Sequence, residues 1–318
     1  MSTVATASLV ALGLATGPAA VANATVDPRP NDLRTALTSA EPETVENLSD
    51  APVTQTGEYA IAVLEDDVSA TVPVKARDGI TISREGGSAI RLSLPFSEEA
   101  DDAVAVMDGV VSYDNKNGST TVPAVKEDGS VAVNTVIDGA HAPLRYDYEL
   151  DVPEGSSLEL TSDGSVVVLD AQGEFVGGVA PPWAKDAQGT PVPTHYELDG
   201  TELVQVVEHR SEDVVYPVVA DPYLGIKLIS KVQTVNEKKG KRYKVTPTLY
   251  GRTMPVLAHR PAFQEVQDIA KIKFRQNLYD QFRCHPLSGI AIVKGTWNLE
   301  SWRPNVGLAK TMAKKCNP

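Results

Sequence analysis

Two histidines near the C-terminal end, His259 and His285, lie among Arg260, Arg283, Glu300 and Arg303. Two imidazoles can divide general-base and general-acid work, and arginines can stabilise a phosphorane-like charge, so this set would suit a nuclease or phosphodiesterase. The same residues have a plainer reading, with His285 packed beside Cys284 and His259 on a loop before Pro261. A second constellation is Trp297-Asn298-Leu299-Glu300-Ser301-Trp302-Arg303-Pro304, two indoles five residues apart with an arginine beside one of them. Such rings make a ligand platform through stacking and cation–π contact, worth about 0.5–2 kcal/mol per contact. On an extended segment the odd spacing sends them to opposite faces, one into a core and one to solvent. Lys238, Lys239, Lys241, Arg242 and Lys244 surround Gly240, which reads as a hairpin turn. A short charge run of this kind is usually a solvated face, and its functional reading is contact with a polyanion.

Charge is divided unevenly along the 318 residues. Residues 222–318 hold 18 of the 29 Lys and Arg and 5 of the 42 Asp and Glu, a formal +13, against −26 for the rest. This split suggests that an acidic body could mask a basic tail through a salt-dependent contact. No P-loop, G-x-G-x-x-G, H-E-x-x-H or G-x-S-x-G motif occurs, so the reading calls for no cofactor. Glu65-Asp66-Asp67 and Glu98-Glu99 with Asp101-Asp102 lack the ligand spacing of a Ca²⁺ loop, and no metal is expected.

The elements that must position these residues follow from patterning. Residues 1–24 carry an apolar stretch, breakers at Gly17-Pro18 and an Ala22-Asn23-Ala24 cleavage pattern, the signature of a secretion signal. Residues 25–68 are rich in Thr, Ala, Pro, Glu and Asp and read as a flexible acidic leader, though Tyr59–Leu64 would suit a first strand. From 69 to 221, short β-branched runs alternate with Asp-Gly turns. Leu144–Leu150 alternates apolar and charged residues over seven positions. The expectation is a mainly β, sandwich-like domain.

Residues 222–318 predict a small basic α+β domain. Arg242–Thr246 reads as a strand. Pro261 would open a helix running to about Arg283 with Phe263, Val266, Ala270, Phe274, Leu278 and Phe282 on its buried face. A last helix from about Pro304 would carry Leu308, Met312 and Cys316 inward. Cys284 and Cys316 are the only cysteines, and an isolated pair in an oxidising compartment is best read as a disulfide. No segment after the signal is apolar for long enough to span a membrane.

Thr246-Pro247-Thr248 with Gly251-Arg252, then Asp280-Gln281-Phe282-Arg283-Cys284-His285, the Trp297–Pro304 stretch and Cys316-Asn317-Pro318 together resemble the bacterial family called domain of unknown function 2599. The resemblance covers about residues 224–318 and implies secreted, often actinobacterial proteins without an assigned activity. It supplies no catalytic residues. Pro182-Trp183, Pro191-Val192-Pro193 and Tyr216-Pro217-Val218-Val219-Ala220-Asp221-Pro222 resemble β-rich carrier modules that precede diverse C-terminal domains in such proteins.

Two functions are then in view. One is a secreted or cell-surface protein, not an enzyme, that binds an anionic envelope polymer or a protein partner through Trp297, Trp302, Arg303, Lys238, Lys239, Lys241 and Arg242. The other is a secreted effector enzyme acting on phosphodiesters, including nucleic acid, with His259, His285, Arg283, Glu300 and Arg303 as its catalytic candidates.

Overall fold

The computed structural model describes residues 29–87, 89–289 and 295–318. The expected signal segment, 1–24, lies outside the described residues. Among those described, no helix is long and apolar enough to cross a membrane.

The body is built in chain order from α1 (Arg29–Ala40), β1 (Tyr59–Glu65), β2 (Val68–Pro73), β3 (Ile80–Arg84) and β4 (Ala89–Leu92). There follow β5 (Val104–Met107), β6 (Val110–Asp114), β7 (Ser119–Val125), β8 (Val131–Ile137) and β9 (Arg145–Asp151). Next come β10 (Ser157–Leu160), β11 (Val166–Leu169), β12 (Phe175–Val179), β13 (Ala184–Lys185), β14 (Thr194–Asp199) and β15 (Glu202–Val207). The body closes with β16 (Val218–Ala220) and β17 (Tyr223–Gly225).

One sheet runs β1-β2-β3-β4-β9-β15-β14 and the other β10-β11-β12-β17-β8-β7-β6-β5, with β16 paired to β8 and β13. Side chains from both sheets, including Ile82, Ile90, Tyr148, Val133 and Val168, meet in one buried core, so the body is β-sandwich-like as the patterning predicts. Strand β9 shows why: its residues alternate exposed and buried along all seven positions. Asp108-Gly109 and Asp163-Gly164 fall between successive antiparallel strands and Gly200 follows Asp199 at the end of β14, and Gly109, Gly164 and Gly200 take the positive φ that tight hairpins require.

The leader expectation is corrected for residues 29–68. Leu33, Ala36, Leu37 and Ala40 recur at helical spacing and are buried, and Tyr59–Glu65 forms β1. These residues order by packing small apolar side chains onto an existing sheet, with Leu37 fully buried beside Val110, Val122 and Val136.

Two further strands, β18 (Ile229–Glu237) and β19 (Gly240–Pro247), lead into α2 (Leu249–Thr253), α3 (His259–Ala270) and α4 (Gln276–Leu287). The chain ends with β20 (Trp297–Glu300) and α5 (Leu308–Ala313), giving a three-stranded sheet β18-β19-β20 in a small α+β unit. The single helix expected from Pro261 to Arg283 is in fact two. Lys271 caps α3 in the left-handed region at φ 51°, its amide bonded to Gln267, and residues 272–275 cross to a new helix. Phe263, Val266, Leu278 and Phe282 are buried as expected, but Phe274 sits on the crossing and is 41% exposed. The last helix starts later than Pro304 and ends before Cys316, and Thr311, not Met312, is its buried residue.

The two units are joined without an intervening linker. Strand β17 belongs to the body's sheet, and a buried cluster runs from Val219 and Tyr223 through Leu228 and Tyr250 to Phe263, Phe282 and Trp297. At this seam Tyr250 lies on glycines: a Cβ on Gly178 would stand 2.1 Å from its hydroxyl oxygen, and one on Gly225 3.0 Å from its own Cβ. Ion pairs also cross. Arg84 of β3 meets Glu265 of α3 at 3.0 Å, and Lys227 meets Asp66 at 2.9 Å. Glu265 additionally accepts the backbone amides of Leu228 at 3.0 Å and Ile229 at 2.8 Å.

Candidate functional site

The tip of the β18–β19 hairpin and the turn after β20 form one face. Strand β19 pairs Arg242 with Glu300 and Tyr243 with Leu299, which brings Lys238 and Lys239 beside Trp302. Gly240 sits at the tip with φ 143°, where a Cβ would lie 2.6 Å from Ser301 Oγ and 3.4 Å from the Trp302 ring. The Lys241 amide donates to Ser301 Oγ and the Ser301 amide to the Lys241 carbonyl, each at 2.8 Å. Glycine at the tip therefore leaves room for Ser301 to close on the turn.

Helix α4 fixes the other side of this face. Gln281, fully buried, donates through Nε2 to the carbonyls of Asn277 and Glu300 and accepts the Glu300 amide at 2.8 Å. Asn277 donates to the Arg303 carbonyl at 2.8 Å, and Arg275 to the Ser301 carbonyl at 3.0 Å. The turn 300–303 is thus held by two side chains of α4 and by Arg275, the residue just before it.

The Glu300 carboxylate is buried between two guanidinium groups, 3.3 Å from Arg242 Nη2 and 2.5 Å from Arg303 Nε. Arg242 also pairs with Glu237 at 2.8 Å and lies 5.9 Å from the Trp302 ring centre. Arg303 reaches onward to the Asn317 side chain and the Pro318 carbonyl, both at 3.4 Å. The chain bearing those last two acceptors is tied down by the Cys284–Cys316 disulfide, with Cα atoms 5.5 Å apart.

The result is a shallow cavity of 430 Å³ lined by Lys238, Lys239, Arg242, Trp302 and Arg303 with Glu237 and Glu300. Both carboxylates are neutralised within it. Lys238, Lys239 and Lys241 are exposed, and the acidic body does not cover these three. The body's ion pairs to the tail lie instead at the seam, and in one of them the body supplies the cation.

Five of the expected binding residues therefore converge, namely Lys238, Lys239, Arg242, Trp302 and Arg303, with Lys241 bonded to the same turn. Trp297 does not. It is fully buried, edge-on to Phe282 with ring centres 5.4 Å apart, because its position on β20 faces α4. Glu237, Ser301, Asn277 and Gln281 complete the face and carry no signal in the sequence, since each works through a partner distant along the chain.

The catalytic candidates separate into different surroundings. His285, on α4 next to Cys284, is buried and lies flat on Trp297 with ring centres 5.6 Å apart and planes 6° apart. His259 opens α3, is buried, and has an Nδ1 with no hydrogen-bond partner among the described residues. Burial and then the neighbouring Arg283 charge depress its pKa to about 4, so it is neutral near pH 7. Arg283 itself stacks on Tyr279, 5.5 Å from the ring centre. Glu300 and Arg303 belong to the hairpin-tip face. Neither histidine lines the cavity there. Among the described residues, no group of three or more His, Cys, Asp or Glu side chains is placed to hold a metal ion.

No curated protein matches the chain. Residues 229–318, from β18 through the disulfide to the chain's last residue, match the model of a family described as a protein of unknown function, DUF2599, and the sandwich lies outside that match.

Proposed function

We propose that the C-terminal unit is a binding module for an anionic, hydroxyl-rich polymer of a cell envelope, with the β-sandwich as its carrier. The observation that carries this reading is the pairing of exposed Lys238 and Lys239 with a half-exposed Trp302 on a face whose carboxylates are both neutralised by arginine. Lysines give a phosphate chain point charges, and the indole gives a polyol or sugar an apolar surface to lie on. Both features serve capture of a repeating polymer. Secretion is part of the proposal, supported by the signal-like residues 1–24 and by a disulfide of the kind that oxidising compartments maintain.

The test is equilibrium binding of the full chain to purified poly(glycerol phosphate). Trp302→Ala should weaken binding about 3- to 30-fold, as expected for one stacking contact. Charge reversal at Lys238 and Lys239 together should abolish it at physiological salt. Undiminished binding by both variants would remove this face from the account.

A phosphodiester-directed enzyme is the competing reading. Its one favouring observation is the proximity of neutral His259 to Arg283, a base beside a cation that could hold phosphate. Hydrolysis of bis(p-nitrophenyl) phosphate that disappears in His259→Asn would establish it.

A further inference from the structure

The motif Thr246-Pro247-Thr248 with Gly251-Arg252 plays no part in the hairpin-tip face, yet its geometry is tightly specified. Thr248 caps α2, accepting the Gly251 amide at 2.9 Å and donating through Oγ1 to the Lys227 carbonyl at 2.8 Å. Its own amide donates to the Leu228 carbonyl at 3.0 Å. A Cβ on Gly251 would stand 1.9 Å from that same carbonyl oxygen, so only glycine lets α2 seat this closely. The bracket places the next residue, Arg252, in a cavity of 420 Å³ at the seam between the sandwich and the tail.

Arg252 is half-buried there. Its Nε is shielded from solvent and has no hydrogen-bond partner, and its guanidinium has no carboxylate partner among the described residues. Nε is the buried nitrogen of this group; Nη1 and Nη2 are not shielded from solvent, form no ion pair among the described residues, and stand open to an acceptor that a ligand brings. The other two cations of the cavity are already engaged. Lys126 donates to the carbonyls of Thr44 and Glu46, and Lys227 pairs with Asp66 and Asp67.

The walls carry the opposite sign. Glu46, Glu65, Glu127 and Asp128 line the same cavity and form no ion pair among the described residues. Asp128 holds Ser130, whose hydroxyl meets that of Tyr223 on the cavity wall. Asp128 and Arg252 both act on the Tyr223 hydroxyl, with opposite sign, while remaining unpaired with each other. One unanswered guanidinium among several unanswered carboxylates is the complement of a molecule with one carboxylate and one or more ammonium groups. The volume falls within the range of small-ligand pockets, about 300–1,000 Å³.

We infer that this seam cavity is a second binding site, for a short basic peptide with a free C-terminus, whose carboxylate pairs with Arg252 and whose ammonium groups meet Glu65, Glu127 and Asp128. The site shares no lining residue with the Trp302 face, so it stands or falls independently of the polymer proposal.

The test is isothermal titration of the full chain with the dipeptide Gly-Lys and with Gly-Lys amide. Gly-Lys should bind, and amidation should weaken it at least 10-fold. Arg252→Gln should weaken Gly-Lys by a similar factor and make the acid and amide forms equivalent, because both changes remove the same contact. Asp128→Asn should weaken both forms alike. Retained binding of poly(glycerol phosphate) or an unchanged thermal transition certifies that the Arg252→Gln chain is folded. No heat from Gly-Lys at 10 mM, equal affinity for acid and amide in the parent chain, or full affinity in a folded Arg252→Gln chain would each overturn the assignment.

Discussion

His285 lies face to face with Trp297, planes 6° apart, on the residue directly after Cys284. The imidazole therefore packs as a core ring on a buried indole, while the indole next along the chain, Trp302, is the one left partly exposed. Two aromatic residues of one short stretch are thus divided between holding the unit together and presenting a face to solvent.

The disulfide closes a chain segment with a sequence separation of 32, joining α4 to the residues that receive Arg303. Cys284→Ser with Cys316→Ser should lower stability by about 3–4 kcal/mol on loop-closure grounds, measured by chemical denaturation. Polymer affinity should fall as well, since Arg303 loses ordered acceptors.

The seam at Tyr250 has no room for a methyl group. Gly178→Ala should destabilise the full chain by about 1–3 kcal/mol, because the new Cβ meets both the Tyr250 hydroxyl and the Val166 carbonyl. Tyr250→Phe in the same background should recover part of that loss, readable as a shift in thermal midpoint.

Arg84 and Glu265 form a partly buried pair across the seam. Arg84→Met should cost about 1–3 kcal/mol, since it leaves a carboxylate in a position where burial already raises its pKa. Glu265→Gln should cost less, because its amide oxygen can still accept from Leu228 and Ile229. Denaturant midpoints of the two variants give the order.

His259 has a native pKa of about 4 against an ordinary value of 6.5, lowered by burial and by Arg283. The unfolded chain then binds more protons than the native one between these values, so stability falls as pH drops through that window. The contribution present above pH 6.5 is on the order of 3 kcal/mol, and it is lost by about pH 4. His259→Gln should flatten that part of a stability–pH curve while leaving the carboxylate-driven part below it.

Much of the sandwich is legible in the sequence because its signal is local. Leu144–Leu150 alternates and, from Arg145 on, forms β9, and Asp-Gly pairs mark the hairpins β5–β6, β10–β11 and β14–β15. Helix α1 is not, because half of its four inward residues are alanines, and their burial depends on a sheet far along the chain. The break after α3 is hidden for a different reason: Lys271 takes a left-handed conformation that glycine or asparagine would have advertised. In the site, the lysine run and Trp302 are readable from charge and aromatic spacing. Trp297 is misread because spacing alone cannot say which of two indoles meets α4. Arg252 acquires significance only once β17, α2 and the Asp128 turn are brought together.

The most direct test of the polymer face is the salt dependence of its binding. The dissociation constant of the full chain for poly(glycerol phosphate) should be measured from low to physiological ionic strength, with the parent chain and with Lys238→Gln, Lys239→Gln. Neutralising two phosphate contacts should flatten the log–log slope by up to about 2, while changing the midpoint of thermal unfolding little. An unchanged slope in the double variant would place the polymer elsewhere and contradict the account.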